Sequence, residues 1–364
     1  MYNSLEELIR VLIVDDSAFM RKSLSILLES DSQIKVIGTA RDGLDGYTQA
    51  MKLKPDLITL DIEMPKMDGL TALKKIMTDC PTPVIMVSSL TSEGAEATIK
   101  AMELGAVDFI PKEMSFVSVN ITKIKDDLIR KVKAIIKQNK LKNRILRLQA
   151  VGNTAKKTAS VTSITRDLPI IPYKVLAIGI STGGPFALQK VIPQISDKIN
   201  CPVFVVQHMP PKFTKSLADR LNGMSKLEVK EADDGELVKN NTVYIAPGGR
   251  HLKVNRYNQT GIRIEISDEP KDSLNKPSVD VMLSSVNKAY GKYTLGVIMT
   301  GMGRDGLEGI TELKNMGGHA IAQDEESCVV YGMPKAIVDA GLADLVLPIE
   351  KIPITINKVI ANER

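Results

Sequence analysis

Short apolar runs alternate with amphipathic segments over the first third of the chain. The segments Phe19–Leu28 and Ala95–Leu104 carry apolar residues at helical spacing. The continuous apolar runs that predict strands are Val11–Val14, Leu57–Leu60, Val84–Val87 and Val107–Ile110. Apolar strands separated by helices are typical of a parallel sheet that is covered on both faces. The pattern therefore predicts a doubly wound α/β domain.

The last half of the chain repeats this alternation and predicts a second parallel-sheet α/β domain. Loops rich in Gly and Pro follow most of its apolar runs. The predicted strands of this domain are Val175–Ile180, Val203–Gln207, Thr242–Ala246 and Leu295–Thr300.

A basic helical segment separates the two domains. Apolar residues recur at steps of three and four between Ile121 and Leu148, which predicts an amphipathic helix. Residues 128–170 hold 11 Lys and Arg against one Asp. Such a helix either binds an anionic surface or packs its apolar stripe on a domain and solvates its lysines, and we favour packing. We expect domains at 8–127 and 171–364, joined by a linker at 128–170 whose residues 152–168 are flexible.

Composition narrows the class of protein. The 364 residues are 43% hydrophobic and contain no apolar run near the ~18 residues of a membrane span. Three cysteines at unrelated spacings argue against a disulfide framework and a zinc site, and fit a reducing compartment. The N-terminus does not resemble a signal peptide, so we expect a cytoplasmic protein. Only 4% of the residues are aromatic, and no helix-turn-helix motif is present, so nucleic acid is not an expected partner.

Chemically competent side chains follow the predicted strands of the first domain. Asp15 and Asp16 come after the first strand, Asp61 after another, and Ser88 and Lys112 after two more. The carboxyl ends of parallel strands meet at one edge of a sheet. Three carboxylates there would repel one another unless a cation joined them, and Mg²⁺ prefers such ligands. Asp61 could then attack a phosphoryl group, with Ser88 and Lys112 contacting its oxygens.

Residues from about 8 to 125 resemble a response-regulator receiver domain, which implies a flavodoxin-like fold. The resemblance rests on the acidic pair Asp15-Asp16, on Asp61 with Met64-Pro65 and Asp68-Gly69, and on Ser88, Phe109 and Lys112. It implies that Asp61 is phosphorylated and that Ser88, Phe109 and Lys112 form the switch. It also implies Mg²⁺ held by Asp16, Asp61 and the carbonyl oxygen of Glu63, with Asp15 nearby. The family usually has Pro after its lysine, whereas Glu113 follows Lys112 here.

Ser181, His208 and Asp305 each follow a predicted strand of the second domain. A serine hydroxyl needs a neighbouring base, histidine can supply it, and a carboxylate can orient the imidazole. Gly179–Gly183 also fits the G-x-S-x-G elbow, whose amides can form an oxyanion hole. Of the other histidines, His251 and His319, both are expected to be structural. Zinc and dinucleotide sites are weaker interpretations, because H-E-x-x-H and G-x-G-x-x-G are absent.

Residues from about 171 to 360 resemble the catalytic domain of the CheB family, the chemotaxis protein-glutamate methylesterases. Six runs carry the resemblance: Ile180–Pro185, Val206–Pro210, Ile245–Gly249, Pro277–Asp280, Met299–Gly306 and Val330–Pro334. The resemblance implies a Rossmann-like domain with the triad Ser181, His208 and Asp305. It implies oxyanion donors in the backbone amides of Met302 and Thr182, and no cofactor in this domain.

Together the two resemblances imply a phosphorylation-activated hydrolase. The expected reaction is hydrolysis of glutamate methyl esters on chemotaxis receptors, with methanol release and with deamidation of receptor glutamines as a second activity. The receptors would be its substrate and its only link to the membrane, and a chemotaxis histidine kinase would be its phosphodonor. The receiver would inhibit the enzyme until Asp61 is phosphorylated. The alternatives are a response regulator with a non-catalytic binding domain and a transcriptional regulator.

Overall fold

The computed structural model describes residues 8–112, 121–151, 168–169, 171–258 and 261–361, and within the helix 121–151 it describes the side chains of 125–141. The chain divides into two compact units, of which the first ends at Leu146 and the second begins at Arg147. Residues 152–167 of the predicted flexible segment, and Glu113, lie outside the described residues.

The first unit is built on a five-stranded parallel sheet in the order β2-β1-β3-β4-β5. Its strands are β1 (Ile9–Val14), β2 (Ile34–Ala40), β3 (Leu57–Asp61), β4 (Val84–Ser89) and β5 (Asp108–Lys112). Its helices are α1 (Ala18–Glu29), α2 (Gly43–Leu53), α3 (Gly69–Asp79), α4 (Ser92–Glu103) and the greater part of α5 (Ile121–Val151), whose residues from Arg147 onward belong to the second unit. This strand order is that of the flavodoxin-like doubly wound fold.

Local sequence explains where the helices of this unit begin. The side chains of Ser17, Asp42, Asp68 and Thr91 each accept a hydrogen bond from an amide in the first turn of the following helix. Such caps satisfy amides that have no partner within the helix. All five residues of β3 are buried, as expected for a strand that is covered on both faces.

Helix α5 packs its apolar stripe within the first unit. Leu128, Val132, Ile135 and Ile136 are buried, and the ammonium of Lys131 lies 3.2 Å from a carboxylate oxygen of Asp108. The described start of the predicted linker thus packs in the first unit, and the domain boundaries at 127 and 171 stay a prediction. Within the described ranges, no helix combines the length and apolar character needed to cross a bilayer.

The second unit contains a seven-stranded parallel sheet in the order β14-β13-β12-β6-β7-β9-β8, and a separate antiparallel pair, β10 and β11. Its strands are β6 (Val175–Ile180), β7 (Val203–Gln207), β8 (Glu228–Glu231), β9 (Thr242–Ile245), β10 (His251–Arg256), β11 (Ile262–Ser267), β12 (Thr294–Ile298), β13 (His319–Gln323) and β14 (Leu345–Leu347). Its α-helices are α6 (Gly184–Val191), α7 (Phe213–Asn222), α8 (Val279–Tyr290), α9 (Leu307–Asn315), α10 (Met333–Asp339) and α11 (Lys351–Ile360).

The predicted fold class, two doubly wound parallel-sheet units, is confirmed. In the second unit, the centre of the sheet is the buried run β12-β6-β7. All three strands point the same way, so their carboxyl ends lie side by side. Polar groups placed just after these strands therefore meet at one edge of the sheet.

Candidate functional site

The first unit brings its predicted acidic residues and lysine together at the carboxyl edge of its sheet. Asp15 follows β1, Asp61 ends β3, and Lys112 ends β5. The Nζ atom of Lys112 lies 2.6 Å from Asp61 Oδ2 and 3.2 Å from Asp15 Oδ2. Both carboxylates are buried, so this ammonium is their direct charge partner.

Burial and charge shape the acidity of this cluster. Burial raises the pKa of Asp61 to about 6; the neighbouring Asp15 carboxylate adds to the rise, and Lys112 opposes it. Burial likewise raises the pKa of Asp15, again against Lys112. Burial alone would lower the pKa of Lys112, but Asp61 and Asp15 raise it, so the lysine stays charged.

The cluster has the donor set that a hard divalent cation requires. Ligand atoms of Asp15, Asp16 and Asp61 all lie within 4.8 Å of one another, and Asp16 is exposed to solvent. Glu63 stands two residues after Asp61, and its amide donates to Asp61 Oδ1 at 3.4 Å. Several carboxylate oxygens with an open side facing water suit Mg²⁺, which keeps part of its hydration shell. The residues present therefore fit the cation that a receiver domain typically binds.

The other two of the three predicted switch residues, Ser88 and Phe109, are in different environments. The hydroxyl of Ser88 donates to the carbonyl oxygen of Gly94 at 3.0 Å, so it is engaged with α4 and not with Asp61. Phe109 is 4% exposed, and the carbonyl oxygen of Phe109 accepts a hydrogen bond from Lys131 at 2.9 Å. Any phosphoryl contact by Ser88 would require its hydroxyl to leave Gly94.

In the second unit, two glycines shape the turn that carries Ser181. Gly183 has a φ of +76° and precedes α6. A Cβ atom at Gly183 would lie 2.5 Å from the side chain of Val329, and one at Gly184 would lie 1.8 Å from Gln207 Oε1. The amide of Ser181 donates to the carbonyl oxygen of Thr300 at 3.0 Å. The turn after β6 is thus held against both neighbouring strand ends.

His208 and Asp305 form a direct hydrogen bond. The Nε2 atom of His208 lies 2.8 Å from Asp305 Oδ2. His208 directly follows β7, and its amide donates to the carbonyl oxygen of Ile180 at 3.2 Å, which places it beside the turn of Ser181. Because Nε2 faces the carboxylate, Nδ1 is the ring nitrogen left to accept a proton.

The carboxylate of Asp305 is held by donors on every side. Besides His208, it accepts hydrogen bonds from the hydroxyl of Ser278 at 3.0 Å and from the amides of Val279 at 2.8 Å and Asp280 at 3.0 Å. Burial alone would raise the pKa of Asp305, but His208 and these amides hold it well below the usual range. The carboxylate therefore remains charged and fixed in direction.

The two predicted oxyanion donors follow Ser181 and Gly301, and a Cβ atom at Gly301 would lie 2.8 Å from Ser181 Cβ. Among the described residues, the backbone amides of Thr182 and Met302 have no hydrogen-bond partner. The carbonyl oxygen of Thr182 accepts from the hydroxyl of Thr300 at 2.9 Å, which orients that peptide. Free, fixed amides beside a serine are what an oxyanion hole requires. In the same part of the chain, no hydrogen bond joins Ser181 to His208; such contacts often tighten only when substrate binds.

Sequence reasoning gave no site role to several supporting residues. Gln207, Ser278 and Thr300 each hold a backbone or carboxylate group of the site by a side-chain hydrogen bond. Gln207 and Ser278 stand inside motifs that carried the family resemblance, next to His208 and before α8. The available signal was a polar side chain at each of these positions, at the end of the buried strand β7 and before α8.

Each of the two units matches a known protein family. The profile of the CheB methylesterase family matches residues 176–356, and that of the response regulator receiver domain matches residues 11–120. A protein-glutamate methylesterase/protein-glutamine glutaminase of Oleidesulfovibrio alaskensis is 51% identical over 359 residues, covering 94% of this chain and 97% of the relative. This chain belongs to the CheB methylesterase family.

Further members of the CheB family are also similar to this chain. The protein-glutamate methylesterase/protein-glutamine glutaminase of Pyrococcus abyssi is 44% identical over 353 residues, covering 97% of this chain and 94% of its own. The crystal structure of the CheB methylesterase catalytic domain of Thermotoga maritima is 45% identical, with a TM-score of 0.50, and covers 52% of this chain and 100% of that one. The match therefore spans both units.

Proposed function

We propose that this CheB-family chain is an adaptation enzyme of two-component chemotaxis signalling. It hydrolyses γ-methyl esters of glutamates on chemotaxis receptors with release of methanol, and it deamidates receptor glutamines to glutamates. The observation that carries this proposal is the 2.8 Å bond between His208 and Asp305 beside the turn of Ser181. The names of its full-length relatives supply the substrate class.

The reaction would run through an acyl-enzyme on Ser181. The hydroxyl oxygen attacks the ester carbonyl carbon, and its proton passes to His208 Nδ1, while Asp305 stabilises the resulting imidazolium. The amides of Thr182 and Met302 would bind the oxyanion, each worth about 10²–10³ in rate. The protonated His208 then gives its proton to the leaving oxygen of the ester, which departs as methanol, or to the leaving nitrogen of a glutamine, which departs as ammonia. Water, deprotonated by His208, releases the glutamate and restores Ser181.

We propose that Asp61 in the receiver is the phosphorylation site that controls this reaction. One carboxylate oxygen of Asp61 attacks the phosphorus of the kinase's phosphohistidine, whose imidazole departs. Asp15, Asp16, Asp61 and the carbonyl oxygen of Glu63 would hold Mg²⁺, which supplies neutralising charge for the phosphoryl oxygens. Lys112, held at 2.6 Å from Asp61, would contact the same oxygens. Ser88 would exchange its bond to Gly94 for the phosphoryl group, and Phe109 would respond to that change.

The test of the activity is methanol release from methylated receptor membranes by the native chain and by Ser181→Ala. Release that disappears in Ser181→Ala, with the variant folded, is the expected result. No release from the native chain, on receptor shown to be methylated, would contradict the proposed substrate.

The test of regulation compares the full chain with a fragment starting at residue 171, each with and without Mg²⁺ and a small phosphodonor. We expect the fragment to be faster than the unphosphorylated chain and indifferent to the phosphodonor. The full chain should accelerate with it, and Asp61→Asn should not. A fragment no faster than the unphosphorylated chain would contradict inhibition by the receiver.

A further inference from the structure

A chain of hydrogen bonds connects the carboxylate of Asp305 to a buried histidine of the β10–β11 pair. The hydroxyl of Ser278 donates to Asp305 Oδ1 at 3.0 Å. The amide of Ser278 donates to Nδ1 of His251 at 3.2 Å. On the opposite side of that ring, Nε2 lies 3.3 Å from the carbonyl oxygen of Pro270, which can only accept. His251 must therefore carry its proton on Nε2 and use Nδ1 as an acceptor.

Only the neutral form of His251 fits this position. The side chain is fully buried. Burial lowers its pKa, the charges of Lys276 and Lys253 lower it further, and the carbonyl of Pro270 and the charge of Asp305 oppose them. Protonation of Nδ1 would point its N–H group at the amide N–H of Ser278, from which Nδ1 now accepts a hydrogen bond. The ring is therefore harder to protonate than an ordinary exposed histidine, and its hydrogen bonds require it to act as an acceptor at Nδ1.

Ser278 is the residue through which this ring acts. It caps α8 in an extended conformation, with φ −112° and ψ 137°. The next two amides, of Val279 and Asp280, are the ones that hold Asp305. The first amides of a helix have no partner within it and point along its positive end. Fixing the peptide of Ser278 therefore fixes three of the four donors on the carboxylate.

We propose that His251 and Ser278 are positioning residues for the hydrolysis. The neutral ring of His251 sets the peptide that begins α8, and Ser278 and that peptide aim Asp305 at Nε2 of His208. Neither residue touches the substrate. This inference rests on the proposed triad, and it gives a chemical task to a histidine that the sequence pattern indicates only as structural.

A pair of substitutions at His251 separates positioning from packing. Asparagine places its side-chain oxygen near the position of Nδ1, whereas glutamine places its amide near Nε2. His251→Asn therefore keeps an acceptor for the amide of Ser278 and loses Pro270, while His251→Gln keeps Pro270 and loses Ser278. Each variant sacrifices one hydrogen bond of a buried ring. We expect His251→Gln to lower kcat about tenfold with KM unchanged, and His251→Asn to retain several times more activity.

Ser278 supplies the second comparison. Ser278→Ala removes the hydroxyl, and Ser278→Thr keeps one. We expect about a tenfold loss of kcat in the alanine variant and recovery of most of it in the threonine variant. Nitrogen-15 NMR of the native chain should show His251 as the neutral Nε2–H tautomer from pH 5.5 to 8. A protonated ring in that range would overturn the proposal. So would kcat losses that are equal in the two His251 variants and are explained by their lower Tm.

Labelling of Ser181 by a serine-directed phosphonate keeps this test separate from the substrate. The labelling rate reports activation of the hydroxyl whichever ester the enzyme uses. If the native chain is labelled but releases no methanol, the proposed substrate is wrong. The positioning role is then tested by the labelling rates, of which that of His251→Asn should exceed that of His251→Gln. A His251→Gln chain that labels as fast as the native chain would overturn the positioning role. A native chain that neither labels nor releases methanol would overturn both.

Discussion

The side-chain amide of Gln207 donates to the backbone carbonyl of Ser181 at 3.0 Å, and the same nitrogen lies 3.1 Å from the carbonyl oxygen of His208. One side chain, 2% exposed, thus ties together the two turns that present the proposed nucleophile and base. The missing Cβ atom of Gly184 makes room for it. A residue that takes no part in the proposed chemistry therefore links the backbone of both reacting groups.

Gln207→Leu should lower both kcat and stability. Leucine is of similar size but donates nothing, so two carbonyl groups lose a partner. The free energy of unfolding should fall by about 1–3 kcal/mol, and misplacement of the turns should lower kcat by about 10–100-fold. Methanol release and thermal unfolding measure the two effects. Gln194→Leu, which removes an exposed bond to the carbonyl of Lys190, is the control and should change neither by much. Full kcat in Gln207→Leu would argue against this role.

Asp305→Asn should be poorly tolerated for two reasons. Each carboxylate oxygen accepts a hydrogen bond from a backbone amide, Oδ2 from Val279 and Oδ1 from Asp280, so the NH₂ of asparagine must face an N–H group whichever way it is turned. That conflict should cost about 1–3 kcal/mol of unfolding free energy. Loss of the charge and of the imidazole orientation should lower kcat about 10⁴-fold, as in other serine triads. Ser181→Ala, measured in parallel, should lose activity without the loss of stability.

Gly183→Ala tests the geometry of the serine turn. A positive φ costs an alanine about 1–2 kcal/mol, and at Gly183 the new methyl group also collides with Val329. Gly341, with φ +68° and open space around it, provides a control that carries the backbone cost alone. We expect Gly183→Ala to be the less stable variant and to lose kcat, while Gly341→Ala keeps it. Equal stabilities would mean that Val329 yields without strain.

The raised pKa of Asp61 makes the first unit sensitive to pH. Its pKa of about 6 in the folded state lies above that of a free aspartate. The folded state therefore binds this proton more tightly than the unfolded chain does, and stability falls as pH rises from about 4 to about 6. Above this window the charged carboxylate costs the fold about 1–3 kcal/mol.

Asp61→Asn should accordingly raise Tm at pH 7.5 and have little effect at pH 4.5. Mg²⁺ should reduce the gain at pH 7.5, because it stabilises the charged Asp61 of the native chain. Thermal unfolding of the full chain measures this. Asp126→Asn, on the exposed side of α5, is the matched control and should leave the pH dependence as it is. A gain from Asp61→Asn that is the same at both pH values would contradict the explanation.

Central strands could be predicted from the sequence because burial on both faces leaves a continuous apolar run. The strands Val175–Ile180 and Val203–Gln207 begin and end where their runs do. The pair β10 and β11 was not predicted. Apolar and polar residues alternate in β11, which is the pattern of a half-buried strand, but the pair is held by distant contacts, such as the bond from the amide of Val254 to Ser285 Oγ at 3.1 Å. No local pattern marks such a contact.

The candidate site likewise contains residues that the sequence predicts and residues that it does not. Ser181, His208 and Asp305 could be named because each stands after a strand, where the fold itself gathers polar groups. The roles of Gln207 and His251 depend on which atoms they reach across 26 and 27 residues of chain. The direction of the His208 ring, with Nε2 toward Asp305, is likewise a property of packing and not of spacing.

The order of strands β12-β6-β7 has a consequence for synthesis of the protein. The strand that carries the serine is made first, yet its neighbour β12, with Asp305 beyond it, is made more than a hundred residues later. Contacts between such distant segments form slowly, since a long loop must close before they are made. A nascent or truncated chain therefore holds a serine without its acid. On the proposed mechanism, full esterase activity can appear only after β12 has paired with β6, so an unfinished chain should be a poor esterase.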